Sequence, residues 1–247
     1  MAKKVEHLKM DIEGQPIPFL LHREYRNSVR FAVGKKGILI RIPKFYSKKD
    51  AFNEINRAVH WVKSLKVKKP RILDRYILRT YSTGDQIQIY DRSYTINLEE
   101  YSNLNKYSRA NLKSGIIHIK LAETDPSLKD KTLKTLLSRV ISQDCLPEIS
   151  RRVKELNHLH FQQEIKNVRL KYNHSNWGSC STKGNINLSS RLLFAPLDVQ
   201  DYVIIHELAH LIEHNHSPRF WKLVKDAMPD YIEKEQWLKI NGSKCDF

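Results

Sequence analysis

The sequence predicts an α+β protein, on three observations. Residues 15–42 and 86–98 alternate apolar and polar side chains with the two-residue period of strands. Residues 51–65 and 133–141 carry apolar side chains at three- and four-residue steps, the period of a helix face. After residue 160 the charge balance changes, and the stretch HELAHLIEHNH, His206 to His216, packs four histidines and two glutamates into one segment. A division into 1–68, 69–160 and 161–247 follows from these shifts.

The bulk numbers set limits. The chain has 247 residues, 40% hydrophobic and 9% aromatic, enough for a real core. The first residues, MAKKVEHLKM, hold lysines but no apolar run, and no later run is long enough to cross a bilayer. No secretory signal and no membrane span are expected. Cys145, Cys180 and Cys245 are far apart and form no CxxC, which argues against a disulfide framework and for a reducing cytoplasm. The formal net charge is +16. Residues 161–247 hold 11 basic and 10 acidic side chains, so nearly all of the excess, +15, lies in residues 1–160. Such an excess suits a polyanionic partner, nucleic acid above all, or serves as a solubilising face.

The elements follow in chain order. PIPFLLHREY, SVRFAV and GILIRIP are short and β-branched, with Gly34 to Gly37 as a hairpin turn. Ser47 is an N-cap for a helix whose stripe is Ala51, Phe52, Ile55, Val59, Val62 and Leu65. Lys66 to Pro70 is a charged linker. QIQIY and YTINL alternate around Asp91 and Arg92, and GIIHIKL (115–121) repeats the pattern of GILIRIP (37–43). Each of these two leads through a polar segment into a helix, which suggests a duplicated β-hairpin-plus-helix unit in an antiparallel, strand-rich N-terminal part. Leu133, Leu136, Leu137, Val140 and Ile141 mark the second helix. A separate helix with Ile149, Val153 and Leu156 starts near Leu146–Pro147. Val168 to Tyr172 is a strand. NWGSCSTKGNINLSSRLLF reads as strand, turn at Lys183–Gly184, strand. Asp198 caps a helix that runs through the histidines, with Tyr202, Ile205, Leu208, Ala209 and Ile212 buried, and Gly242 ends a last helix with Tyr231 and Trp237.

His206 and His210 lie four apart, on one helix face and one turn apart, so both imidazoles reach one ion. Glu207 is placed beside them to take a proton from water on that ion. His214 continues the row, but eight residues of straight helix put it about 12 Å from His206 along the axis, beyond any shared ion. His216 follows Asn215, a residue suited to stopping a helix, and a chain that turns back there brings His216 to the same ion. His206, His210 and His216 are therefore the expected ligands, with water in the fourth position. For this composition a chance HExxH arises about 3 times in 100, and the third histidine at this spacing lowers that to about 1 in 1000. Three neutral imidazoles leave zinc one open position, which is the chemistry of metal-assisted hydrolysis.

Other residues carry weaker signals. Cys180 reads as a small buried side chain, and Trp177 and Gly178 as packing and turn residues. The strand Asn185 to Leu193 frames the metal helix, and an edge there can pair with an extended substrate. Phe220, Trp221, Leu223 and Val224 anchor the segment after His216. Tyr231 and Arg219 are candidate oxyanion donors. His158, His160 and His174 lack ligand spacing.

NWGSCSTKGNINLSSRLLFAP, YVIIHELAHLIEHNHSPRFW and PDYIEKEQWL together resemble the YgjP-like zinc metallopeptidases, minimal zincins related in their site to the SprT-like and WLM proteases. The resemblance is close over about 160–247, looser over 15–65 and weakest over about 70–145. It implies Zn2+, ligands at His206, His210 and His216, Glu207 as the catalytic acid/base, a polypeptide substrate and a zincin-like domain. Asn176 stands where that family has an arginine before WGSCS. Two alternatives stay open: a metal-dependent nucleotide pyrophosphatase, although no GxxxxGK[ST] loop occurs, and a nucleic-acid-associated protein with a non-catalytic zinc site. The sequence leaves the oligomeric state open.

Overall fold

The computed structural model describes residues 5–34, 36–70, 72–73, 76, 80–101, 107–122 and 126–247; Lys35 of the Gly34–Gly37 turn lies outside them. The chain divides into two compact units, Met1–Leu78 and Arg79–Phe247.

The first unit holds β1 (Val5–Ile12), β2 (Gln15–Glu24), β3 (Arg30–Val33), β4 (Ile38–Pro43) and helix α1 (Lys48–Lys68). The strand order is β1-β2-β4-β3. The Ser47 hydroxyl accepts from the Asp50 N–H, and the Asp50 carboxylate accepts from the Ser47 N–H, so a capping box starts α1. One face of the sheet buries Ile12, Ile17, Phe19, Leu21, Ile38, Ile40 and Ile42 against Ala51, Ala58 and Val62 of α1. Alternation then sends Leu39 and Arg41 to the opposite face.

The second unit begins with β5 (Gln86–Ile89), β6 (Arg92–Tyr101), β7 (Arg109–Lys113), β8 (Ile116–Ala122) and helix α2 (Pro126–His160). Its sheet order, β5-β6-β8-β7, repeats that of the first. Register repeats as well. Ile12 pairs Gln15 as Ile89 pairs Arg92, Phe19 pairs Ile38 as Ile96 pairs Ile117, and Val33 pairs Ile38 as Leu112 pairs Ile117. This register aligns Ile38 with Ile117, one residue away from the match that the glycines of GILIRIP and GIIHIKL suggest. The glycine match puts Ile38, which is buried, against Ile116, which is exposed. Neither sheet is purely antiparallel: β2 pairs β4 in parallel, and β6 pairs β8 in parallel. Strands β1 and β7 have no counterpart in the sequence reading: only Ile12 of β1 is buried, its other apolar residues lying among charged ones, and β7 alternates over only five residues.

Helix α2 is one 35-residue helix with Pro147 inside it, where the sequence predicts two. Pro147 offers no N–H to the preceding turn, a cost of about 3 kcal/mol in an unsupported helix. Here β6 grips that turn. Arg92 donates to the Asp144 carbonyl at 3.4 Å and to Glu148 Oε2 at 3.0 Å, and the Tyr94 hydroxyl donates to Asp144 Oδ2 at 2.6 Å. Cys145, Ile149, Val153 and Leu156 stay buried beyond the proline.

The remaining elements are β9 (Asn167–Lys171), β10 (Gly178–Cys180), β11 (Asn185–Ser189), a 3-10 helix (Ser190–Phe194), α3 (Leu197–Ala209), α4 (Pro218–Ala227) and α5 (Tyr231–Asn241). The three strands order as β10-β11-β9, with β11 and β9 parallel. A single apolar core runs from Ile87 and Ile117 through α2 to Leu188, Leu208, Phe220 and Leu238, so it crosses residue 160 without a break.

Candidate metal centre

Helix α3 carries the first two histidines and is buried nearly all round. Val199, Tyr202, Val203, Ile204, Ile205, Leu208 and Ala209 are each at most 5% exposed. Arg152 of α2 fixes it with a bidentate bond to Asp201, at 2.8 and 2.6 Å. Asp198 is not its N-cap; Pro196 holds that place, and the Asp198 carboxylate pairs with Lys234 at 2.8 Å. The helix also ends earlier than the sequence predicts, at Ala209 rather than near Asn215. His210 is the C-cap but keeps helical angles (φ −68, ψ −12), so the four-residue spacing to His206 still sets both rings on one side.

Beyond His210 the chain tightens. Leu211 N–H donates to the Leu208 carbonyl, and Glu213 N–H to the Ala209 carbonyl. The next helix starts at Pro218, with the Ser217 hydroxyl capping Phe220 N–H at 3.3 Å. The reversal between them brings back His216. Nδ1 or Nε2 atoms of His206, His210 and His216 lie within 4.8 Å of one another, and the Nε2 atoms of His206 and His216 face each other at 3.1 Å. His214 is exposed and outside this group.

Packing holds the rings. Phe220, fully buried, lies under all three, with ring centroids 4.9 Å from His206, 4.5 Å from His210 and 4.8 Å from His216. Trp221 stacks on the exposed His216 at 5.8 Å, Tyr231 stacks on Trp221 at 5.5 Å, and Tyr231 stacks on Tyr202 at 6.4 Å. His210 donates from Nδ1 to the Glu213 carbonyl at 3.0 Å, which leaves the lone pair on Nε2. His206 Nδ1 is buried without a hydrogen bond among the described residues, and contacts with neighbouring rings orient that side chain. Burial and the neighbouring histidines push His206 down to about 4, and burial lowers His210, so both rings stay neutral near pH 7. A tetrahedral zinc at about 2.0–2.1 Å from each nitrogen sets ligand atoms about 3.3 Å apart, which suits this cluster.

Glu207 is 5% exposed and makes no hydrogen bond among the described residues. Burial alone pushes its carboxyl up to about 8. Gly178 gives it room: a Cβ there would lie 2.5 Å from Glu207 Oε1. Gly178 reads locally as a turn residue, and nothing in the local pattern signals this long-range approach. Cys180 is pushed up to about 11 by burial and by the Glu207 charge, and it lies outside the three-histidine group. Tyr231 is engaged in the aromatic stack, and Arg219 is exposed; no described contact joins either to the three histidines.

Two outcomes test this geometry. Gly178→Ala should cost about 1–3 kcal/mol of stability by crowding the Glu207 carboxylate, seen by thermal melting, while a metal titration still finds the three-histidine site. Titration gives the second. In the metal-free fold Glu207 holds its proton up to about pH 8, whereas the unfolded chain releases it near 4.5. The native state therefore binds more protons between those values, and Glu207 lowers stability as pH rises through them. Metal-free Glu207→Gln should exceed the wild type by roughly 2–4 kcal/mol at pH 8. The gap should close by pH 4.5, and equal denaturation midpoints at pH 8 would contradict the assignment.

The profile of the YgjP-like, metallopeptidase domain family matches residues 27–241. No curated protein matches the chain. Among solved structures, it is similar to the metallopeptidase zymogen abylysin of Pyrococcus abyssi. The identity is 26% over 38% of this chain and 92% of that one, at a TM-score of 0.34. It is also similar to the metallopeptidase zymogen jannalysin of Methanocaldococcus jannaschii, with 23% identity over 36% of this chain and 90% of that one, at a TM-score of 0.32. With the profile spanning most of its length, the chain belongs to the YgjP-like metallopeptidase family.

Proposed function

We propose that this chain is a zinc-dependent metallopeptidase, with the ion held by His206, His210 and His216 and with Glu207 as general base. The observation that carries the reading is the convergence of three imidazoles beside a buried carboxyl that has no hydrogen-bond partner among the described residues. When bound, zinc polarises the scissile carbonyl and acidifies the attacking water. Glu207 takes that water's proton and returns it to the leaving amine nitrogen. A nearby dication favours the ionised carboxylate and so opposes the effect of burial. The His210 Nδ1 bond to the Glu213 carbonyl holds one imidazole in the tautomer that binds metal. The strand expected as the edge, β11, lies between β10 and β9; the edge is β10, bonded to β11 on one side only, and it supplies main-chain groups for an extended polypeptide. Residues 161–247 carry this chemistry.

A structural zinc site gives no reason to bury an unpartnered carboxyl beside the ion. A nucleotide pyrophosphatase needs free cations near the metal, but Lys239, which lines the adjoining cavity, is paired with Glu235 at 2.7 Å. No helix among the described residues is long and apolar enough to cross a membrane, and no two of the described cysteines are joined. A reducing cytoplasm suits those cysteines. The matching strand order and register support an origin of the two sheet-plus-helix units in one duplicated unit.

Nucleic acid is the second partner we propose, through the +15 excess of residues 1–160. Arg30 pairs Arg41, and Arg41 pairs His22, so one row of basic side chains crosses three strands on the face opposite α1.

Zinc content and degradation of an unfolded protein test the first reading. Glu207→Gln should keep the zinc and lower kcat by at least about 100-fold. His206→Ala should lose both, and a chelator should stop the wild type; full activity in Glu207→Gln would overturn the assignment. A salt series with duplex DNA tests the second partner. Affinity should fall steeply with salt, and Arg30→Glu with Arg41→Glu should flatten the slope by about 2. No binding at low salt would end it.

A further inference from the structure

The sheet face of the first unit opposite α1 carries two neighbouring rows of side chains. One is Arg30, Arg41 and His22, partners across β3, β4 and β2. The other, two residues along each strand, is Ala32, Leu39 and Leu20. At about 3.3 Å per residue the rows lie about 6.6 Å apart, close to the reach from a phosphate to the base it carries. The cations of the first row are unmet. The side chains of Arg30, Arg41 and His22 make no ion pair among the described residues, and Arg41 Nε and His22 Nε2 are buried atoms with no hydrogen-bond partner there. A buried donor left unmet costs free energy that a bound anion recovers.

The second sheet supplies a contrast. It has the same strand order and register, and there Arg109, Lys120 and Glu99 take the places of Arg30, Arg41 and His22. Glu99 pairs with Lys120 at 3.1 Å, so part of that row's charge is met within the protein. Asn111, His118 and Asn97 take the places of Ala32, Leu39 and Leu20, and Asn97 bonds His118 at 3.2 Å. Equivalent positions thus carry a paired polar face on one sheet and unmet cations beside an apolar row on the other. Aromatic rings flank those cations in the opposite direction. Tyr25 and Phe45 follow the ends of β2 and β4 and are 89% and 75% exposed. Lys44 Nζ lies 4.4 Å from the Tyr25 ring centroid. Exposed rings beside cations suit the π-face of an unpaired base.

We infer that this face holds single-stranded nucleic acid, with a phosphodiester on Arg30, Arg41 and His22 and unpaired bases against Leu39 and the rings of Tyr25 and Phe45. The inference rests on the nucleic-acid reading above and narrows it. A duplex brings phosphates to a sheet but keeps its base faces stacked inside, so neither the apolar row nor the rings gain from it. A bilayer fits the face poorly, because the apolar row is shallow: Leu20 is 9% exposed, and Leu39 and Ala32 are half-buried.

The whole chain is titrated into a labelled oligothymidylate, an oligouridylate and a hairpin duplex of equal length, and binding is read by fluorescence anisotropy. At least one single strand should bind at least about 10-fold tighter than the duplex, and which one does so tells DNA from RNA. Tyr25→Ala with Phe45→Ala, both exposed side chains, should weaken single-strand binding at least about 10-fold and leave duplex binding unchanged. Leu39→His, which copies the second sheet, should also weaken the single strand alone. His22→Glu, which copies Glu99, should weaken both. Equal melting temperatures of the variants separate these losses from unfolding. Equal affinity for duplex and single strand, or single-strand affinity unchanged in the aromatic double variant and in Leu39→His alike, overturns the inference and leaves the nucleic-acid reading standing. No oligonucleotide bound at low salt, whether or not phosphatidylserine vesicles are bound, ends both.

Discussion

Burial of one helix governs everything at this centre. Helix α3 is apolar on nearly every side; Gln200 is satisfied by Tyr90 and the Ala195 carbonyl, and the two titratable groups His206 and Glu207 must be held neutral there. A neutral imidazole is a ligand in waiting, and a protonated carboxyl without a partner is a group whose charge a cation would restore. The same desolvation that would penalise both in an ordinary core prepares both for a dication. The bidentate bond between Arg152 and Asp201 ties this helix to α2.

The three histidines come together through two different kinds of constraint. His206 and His210 need only helical angles, which persist one residue beyond the helix proper. His216 needs the chain to reverse, and three local devices produce that reversal: tightened hydrogen bonds after Leu208, the Ser217 cap and Pro218 at the first turn of α4. Phe220 then serves as a common floor. Without an apolar ring at nearly equal distance from all three imidazoles, the exposed third ring would have only its stack on Trp221 to orient it.

Much of this was legible in residue spacing. The four-residue step, the third histidine and the hairpin around Tyr90 follow local periodicity, and the Ser47 cap follows its side-chain chemistry. What could not be read depends on partners distant in sequence. Pro147 breaks helices in isolation; Arg92 and Tyr94, over 50 residues away, decide otherwise. Gly178 resembles any turn glycine until Glu207 is seen against it. The glycines of the two similar strands suggest one alignment, while strand register sets another, because a shift of one residue turns every side chain to the other face.

The unbroken core across residue 160 has a consequence for how such a centre is inherited. The apolar side of α2, from Cys145 to Leu156, is a wall for the segment that carries the histidines. Severed at that point, the last third of the chain would lose the surface on which its own sheet and α3 are built. A nick or recombination point that respects this architecture falls before Arg79, so the histidine-bearing segment, α2 and the β5–β8 sheet travel as one heritable module.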